Sequence, residues 1–251
     1  MDEPTYSSET TLAFIDILGF KKMLSDKTLP EILDIINSII HFDNSADYKL
    51  MLPTLKTKLI SDSFVVYAQL TEPKHVTAYY VYLLTVVANI HKLGKVVTRG
   101  YVSNGNHYFN DEVWISPVFV DAYLGEENIA IYPRVIIGES AILHTNKISE
   151  GFIAPGFFTK DPDSYWFMNY MQCIGNNYKP NGTNIIAEMN SAGLEPGLSS
   201  HKNAILNGLN NEKKHFKKYN WLANYHNEYI NQNVKTKDNS SFLIDIEEHT
   251  T

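Results

Sequence analysis

Two aspartates stand where their residue type and surroundings could do chemistry. Asp16 interrupts the apolar run 11–17 (TLAFIDI), and Asp62 interrupts the β-rich run 56–69 (KTKLISDSFVVYAQ). A carboxylate buried in such a setting is costly unless a cation neutralises it, and a divalent metal ion does so best. If the first run and the second lie side by side, both acids converge at one edge of a sheet and can bridge two Mg²⁺ or Mn²⁺ ions. A purely structural reading is also open, in which Asp16 caps the following helix and Asp62 bonds its own turn backbone. Arg99, between Val96-Val97-Thr98 and Gly100, meets either a phosphate or base carbonyl or an acid at the sheet edge. Arg134, directly after Pro133, is either a phosphate clamp or the ion-pair partner of Glu126 or Glu127. His107, Tyr108 and Phe109 either stack on a nucleobase or pack between two copies of the chain.

The elements that must position these residues follow from periodicity and turn chemistry. Residues 11–17 read as a buried strand that breaks at Gly19, which puts Asp16 near the strand's C-terminal end. Over 30–42 the apolar residues Ile32, Leu33, Ile35, Ile36, Ile39 and Ile40 form a helical stripe that Pro30 can start. Residues 56–69 predict a tight antiparallel hairpin with Asp62 at its tip. A long apolar helix over 73–92, a strand over 96–103, a helix over 117–126 and a strand over 129–137 complete the series. The order β, α, ββ, α, β, α, β predicts an α/β (α+β) fold built on a ferredoxin-like antiparallel sheet with helices on one face. Near Ser149 the pattern changes. Residues 151–198 are rich in Gly, Pro and Asn, and amphipathic helices over 200–209 and 211–229 follow. Residues 1–149 are therefore expected to form the core domain, and 150–251 a mainly helical C-terminal extension packed on it.

Composition narrows the function classes. At 251 residues and 44% hydrophobic content the chain can bury a proper core. Its single cysteine, Cys173, excludes an internal disulfide and is expected in the core, and a reducing cytoplasm is the expected compartment. Residues 1–10 lack the features of a secretory signal. The most apolar window, 76–90, is shorter than the roughly 20 residues a membrane span needs, so no membrane partner is expected. A net charge of −7 argues against a nucleic-acid partner, whose phosphates call for Lys and Arg, yet permits a small anion held through metal ions. The Lys- and aromatic-rich stretch 213–229 reads as an amphipathic helix that packs Phe216, Trp221, Leu222 and Tyr225 inward and leaves its lysines in water.

FIDILGF (14–20) resembles the first metal motif of class III nucleotidyl cyclases, and KLISDSFVVYA (58–68) resembles the second. Their aspartates are 62 − 16 = 46 positions apart, which suits that family. The resemblance runs on through TRGYVSNG (98–105) and SPVFVDAYLGEENIAIYPRVIIG (116–138), roughly the first 140 residues. With His201-Lys202 and KYNWLANYHN (218–227), the pattern is similar to the pyrimidine cyclases of Pycsar antiphage systems. The resemblance implies a cyclase that converts UTP, or less favourably CTP, into the 3′,5′-cyclic nucleotide and pyrophosphate. It implies a homodimer with sites at the interface, and a product that activates a separate effector. Two Mn²⁺ or Mg²⁺ ions would be held by Asp16, Asp62 and the Ile17 carbonyl, with Arg99 as a catalytic cation. Phe14, Ile17, Leu18, Gly19, Phe20, Lys58 and Arg134 would contact the nucleotide. Lys58 matches by position the base-reading residue of purine cyclases, its other reading being a solvated lysine. In the turn, Gly19 allows close approach of backbone N–H groups to phosphate.

One departure bears on activity. Purine-cyclising relatives carry an Asn and an Arg four residues apart on the helix after the fourth strand. Aligned through Ser116-Pro117, those positions hold Val120 and Leu124 here, and a one-residue shift gives Phe119 and Tyr123. Val120 and Leu124 cannot bond a phosphate. Either another residue such as Arg99 supplies the charge, or the chain is a weakly active or inactive nucleotide-binding or scaffold module. A two-metal phosphodiesterase is disfavoured by the acidic charge and by the lack of a histidine–carboxylate cluster near the aspartates.

Overall fold

Alternation along the first strand, β1 (Thr5–Leu18), divides the sheet into two unlike faces. Ala13, Ile15 and Ile17 enter the main core, whereas Leu12 and Phe14 join a smaller cluster on the opposite face, the face that also carries Asp16. The computed structural model describes residues 5–41, 45–94, 96–109, 114–150, 156–174, 191–234 and 239–246. Among them, β2 (Lys56–Ile60), β3 (Ser63–Gln69), β4 (Val97–Phe109), β5 (Trp114–Ile115), β6 (Val135–Ile137), β7 (Phe158–Lys160) and β8 (Trp166–Met168) join β1 in one sheet. The order is β2-β3-β1-β4-β6-β8-β7, with β5 on the edge of β4. Its first four strands are antiparallel throughout, the arrangement expected of a ferredoxin-like unit. β6 then adds parallel to β4, and β8 antiparallel to β6.

The helices α2 (Leu29–Ile40) and α4 (Pro73–Asn89) follow the expected positions, with Thr28 and Glu31 forming a capping box at the start of α2, whereas the short helices α1 (Phe20–Asp26) and α3 (Ser45–Met51) add to the expected series. α4 is buried along most of its length, as its continuous apolar sequence requires, and runs into a π turn at Ile90–Gly94. α5 (Pro117–Asn128) lies across the other face and seals Leu12, Phe14, Val65 and Tyr67 with Val118 and Ala122. Gly125 lets α5 approach β4, since a Cβ there would meet the Tyr101 ring at 2.5 Å. Gly125→Ala is therefore expected to destabilise the fold by about 1–3 kcal/mol despite alanine's better helix propensity. Urea denaturation checks this, and an unchanged midpoint would show that the Tyr101 contact is not tight.

The expected strand over 129–137 shrinks to Val135–Ile137, because Pro133 has no N–H for a ladder and Arg134 turns into a buried ion pair. The next helix, α6 (Glu139–Ser149), was not apparent from the sequence. In the Gly-, Pro- and Asn-rich stretch, β7, β8 and α7 (Met171–Ile174) appear, so the C-terminal part begins by adding strands to the sheet. It continues as α8 (Ser191–Asn211), which starts earlier than expected, and α9 (Phe216–Asn233). Leu198, Ile205, Leu222, Ala223 and Tyr225 pack this helical part on the main core. Cys173 is half-buried against the same core. No helix among the described residues is long and apolar enough to cross a membrane.

Three buried histidines tie the two regions together. His91, in the π turn, stacks on Tyr170 at 4.3 Å, and the Tyr170 hydroxyl reaches His201 Nε2 at 3.0 Å. His201 Nδ1 lies 2.9 Å from His226 Nδ1, and His226 Nε2 lies 2.9 Å from the Phe242 carbonyl oxygen. A carbonyl only accepts, so His226 Nε2 is the donor and, in the neutral ring, its Nδ1 accepts from His201 Nδ1–H. The Tyr170 hydroxyl then donates to His201 Nε2. Every bond in this chain is satisfied by neutral rings alone.

Candidate active site

β1 carries Asp16 to the last residue of its pairing with β3, opposite Ser63, and one residue later Ile17 N–H donates to the Asp62 carbonyl oxygen at 2.9 Å. That bond sets the two-residue hairpin turn, with Ser61 at φ 58°, against the end of β1. A strand residue's N–H and C=O point to the same side, so the Ile17 carbonyl also faces the turn, beyond the last paired residue. Both aspartates and this carbonyl therefore converge at one sheet end.

The structural roles open to the aspartates are not used. Gly19, at φ 87°, occupies the N-cap of α1 with no side-chain cap bond, so Asp16 does not cap that helix. The Asp62 carboxylate accepts no hydrogen bond among the described residues, and Asp16 accepts one long bond, 3.5 Å, from the Ser63 hydroxyl. Burial, followed by the charge of Asp62, raises the Asp16 pKa above the usual carboxylate range; Arg99, Ser63 and Lys218 act in the opposite sense without cancelling it. Asp16 is thus short of positive charge.

Arg99 faces Asp16 across the β1–β4 register, but its guanidinium is ion-paired with Glu126 of α5. Burial raises the Glu126 pKa, with Arg99 opposing. A further cation comes from α9. Lys218, expected in water, is instead half-buried; burial and then Arg99 lower its pKa, while Glu126 and Asp16 hold it up. Glu126 and Lys218 were not singled out from the sequence as site residues. The one signal for Lys218 was its place at the head of the KYNWLANYHN block.

Beside this group, a cavity of about 400 Å³ opens between the β1–α1 turn and the two C-terminal helices, lined in part by Leu18, Gly19, Lys21, Lys22, Asn207 and Lys218. Phe20, first residue of α1, is half-buried against the core and does not line it. Phe14 is 7% exposed, wedged edge-on between Phe119 and Tyr123 at 5.6 Å from each, and so packs beneath α5. Lys58 shares the Asp16 face through the row Lys58–Val65–Phe14, two positions back from Asp16, and its ammonium lies 4.8 Å from the centre of the Trp114 ring.

Arg134 is not brought to this group. It is fully buried and pairs with Asp161 and Asp163 rather than with Glu126 or Glu127. Asp161 also accepts from Trp221 Nε1 at 2.9 Å, and Trp221 stacks on Tyr132. The pairing arises because β8 adds beside β6 and delivers the β7–β8 turn to Arg134. His107 is buried as well, packed on Tyr67 at 4.8 Å with Nδ1 at 2.8 Å from the Ser116 hydroxyl, so its ring is not free to stack on a base. The Phe109 side chain lies outside the described residues. Val120, Tyr123 and Leu124 are exposed on α5.

Among the described residues no group of three or more His, Cys, Asp or Glu side chains is arranged to hold a metal ion. The donor set at the sheet end is two carboxylates and a carbonyl. These are hard oxygen ligands, the kind that Mg²⁺ and Mn²⁺ accept while taking their remaining positions from water and substrate phosphates. The residues present fit such ions.

No protein-family model and no curated protein matches the sequence. Among solved structures, the monomeric guanylyl cyclase domain of the RhoGC fusion protein from the aquatic fungus Blastocladiella emersonii is similar, with 15% identity and a TM-score of 0.46 over 66% of this chain and 97% of that one. The guanylate cyclase domain of RhGC from Catenaria anguillulae, in complex with GTP, gives 14% identity and a TM-score of 0.45 over 65% and 98%. A bacterial light-regulated adenylyl cyclase gives 15% and 0.43 over 66% and 92%.

Proposed function

We propose that this chain is a nucleotidyl cyclase that converts a pyrimidine nucleoside triphosphate, UTP in preference to CTP, into its 3′,5′-cyclic nucleotide and pyrophosphate as a second messenger in antiviral defence. The observation that carries this reading is the juxtaposition of Asp16 and Asp62 by the Ile17 N–H···O=C Asp62 bond, within two motifs that resemble the metal motifs of class III cyclases. Asp16, Asp62 and the Ile17 carbonyl would hold two Mn²⁺ or Mg²⁺ ions. When bound, such ions acidify the ribose 3′-hydroxyl and neutralise the charge of the phosphates. Because the Asp16 pKa is raised, protons would compete with a cation for this carboxylate, so cation affinity would weaken as pH falls. Glu126 fixes the Arg99 guanidinium beside Asp16. The apolar residues Val120, Tyr123 and Leu124, at i, i+3 and i+4 on one exposed side of α5, support a homodimer in which a second copy covers them.

A second reading, an inactive nucleotide-binding module, is favoured by the same Val120 and Leu124, which offer no donor where purine cyclases carry Asn and Arg. Incubating the purified chain with each of the four ribonucleoside triphosphates and Mn²⁺, with products read by mass spectrometry, separates the two. A cyclic pyrimidine nucleotide with pyrophosphate is expected. Binding without any cyclic product would leave the inactive module as the better account.

A further inference from the structure

The cations around the Asp16 end of the sheet are unequally free. Arg99 is committed to Glu126, and α5 offers only Val120 and Leu124. The Lys218 ammonium makes no hydrogen bond or ion pair with any described residue, yet it is half-buried at the wall of the cavity. Glu126 and Asp16 act on this ammonium only at a distance, so holding it half-buried still costs desolvation, and an anionic ligand in direct contact would offset that cost. Lys21 and Lys22 of α1, and His215 just before α9, line the same cavity as Lys218. The acids in the wall are Asp26 and Glu212, and Glu212 already sits 3.9 Å from Lys22. In a chain of net charge −7 this is a local excess of positive groups. A cavity of about 400 Å³ falls within the size range of small-ligand sites.

We propose that Lys218 binds the phosphates of the substrate in this cavity, so that the C-terminal helix α9 supplies a positive charge that α5 does not. The inference rests on the cyclase reading for the identity of the substrate, but the site itself requires only a polyphosphate. It also assigns a task to the C-terminal region, which closes the cavity with Asn207 of α8 and Lys218 of α9.

The test uses the full chain and inorganic tripolyphosphate, followed by isothermal titration calorimetry, with thermal melts confirming that each variant folds. Lys218→Met is expected to weaken tripolyphosphate binding at least about tenfold, and Lys218→Arg to restore it to within about threefold of the parent chain. Lys218→Gln serves if the methionine variant does not fold. A neutral variant that binds as tightly as the parent, or a parent chain that does not bind tripolyphosphate, overturns the proposal. Cyclic product formed by Lys218→Met with an unchanged KM would overturn the phosphate site and leave the cyclase reading standing. Binding lost with Lys218 in a parent chain that forms no cyclic product would support the site and remove the cyclase reading.

Discussion

Asp62→Ala is expected to lower cyclic-nucleotide formation from every triphosphate at least about a hundredfold while leaving the melting temperature unchanged or slightly raised. The two halves of this expectation have one origin. The Asp62 carboxylate bonds nothing among the described residues, so its removal costs the fold no hydrogen bond. Its charge does act on Asp16, whose pKa it helps to raise, and alanine relieves that repulsion. The Ile17 N–H···O=C Asp62 bond is made by the backbone, so the turn keeps its place in the variant. A carboxylate that strains its neighbour and holds nothing else is explained by a ligand that needs both acids. Turnover assays and melts on the same preparation check both halves. Full turnover in the variant would sink the two-carboxylate site, and a large loss of stability would show that Asp62 supports the fold after all.

Acid is expected to undo the histidine network. Burial pushes the His91 pKa down to about 3 and that of His226 to about 4, and holds His201 well below its ordinary value, with the His226 and His91 charges adding to the effect. Unfolding returns each ring to about 6.5, so below that pH the unfolded chain binds protons that the folded chain refuses. The stability that these rings contribute is therefore full above pH 6.5 and falls as pH drops toward the folded values. Between pH 7.5 and 5 the loss is roughly 2 kcal/mol for His91 and about as much for His226. A proton on His226 would also set Nδ1–H against the Nδ1–H of His201, breaking the donor order that neutral rings allow. Each kcal/mol corresponds to about 2–4 °C in a chain of this size. Melts of the parent chain and of His91→Phe across this range isolate the effect. The variant should gain about 2 kcal/mol on the parent as pH falls, whatever its stability at pH 7.5. Parallel pH profiles would show that His91 does not remain neutral in the fold.

Much of the frame was legible from residues alone, because it depends on local order. The alternation of Leu12, Ala13, Phe14 and Ile15 specifies a strand with two covered faces. The Ser61-Asp62 pair between β-rich runs specifies a hairpin tip, and Pro30 and Pro73 mark helix starts at which α2 and α4 begin within a residue. Asp16 and Asp62 could be singled out on the same ground: an acid in an apolar β run is conspicuous without any knowledge of its neighbours.

The charged partners were not legible. Arg134 could have answered Glu126 or Glu127 nearby in sequence, but the pairing of β8 with β6 presents Asp161 and Asp163 instead, and Glu126 goes to Arg99 across the α5–β4 contact. A lysine at one edge of an amphipathic stripe has the same local sequence whether it faces water or a cavity, and only the placement of α9 at the cavity beside the end of β1 settled the position of Lys218. The short strands β8 and β7 exist because β6 offers β8 an edge and β8 in turn offers one to β7, not because three residues carry a strand signal. The sequence by itself determined where the strands turn and which two acids stand out, Asp16 near the end of its strand and Asp62 in a turn, since φ/ψ preference and hydrophobic period act over a few residues. Only the tertiary structure decided which cation meets which anion, since that pairing depends on register between segments tens of residues apart and leaves no trace in the composition of either.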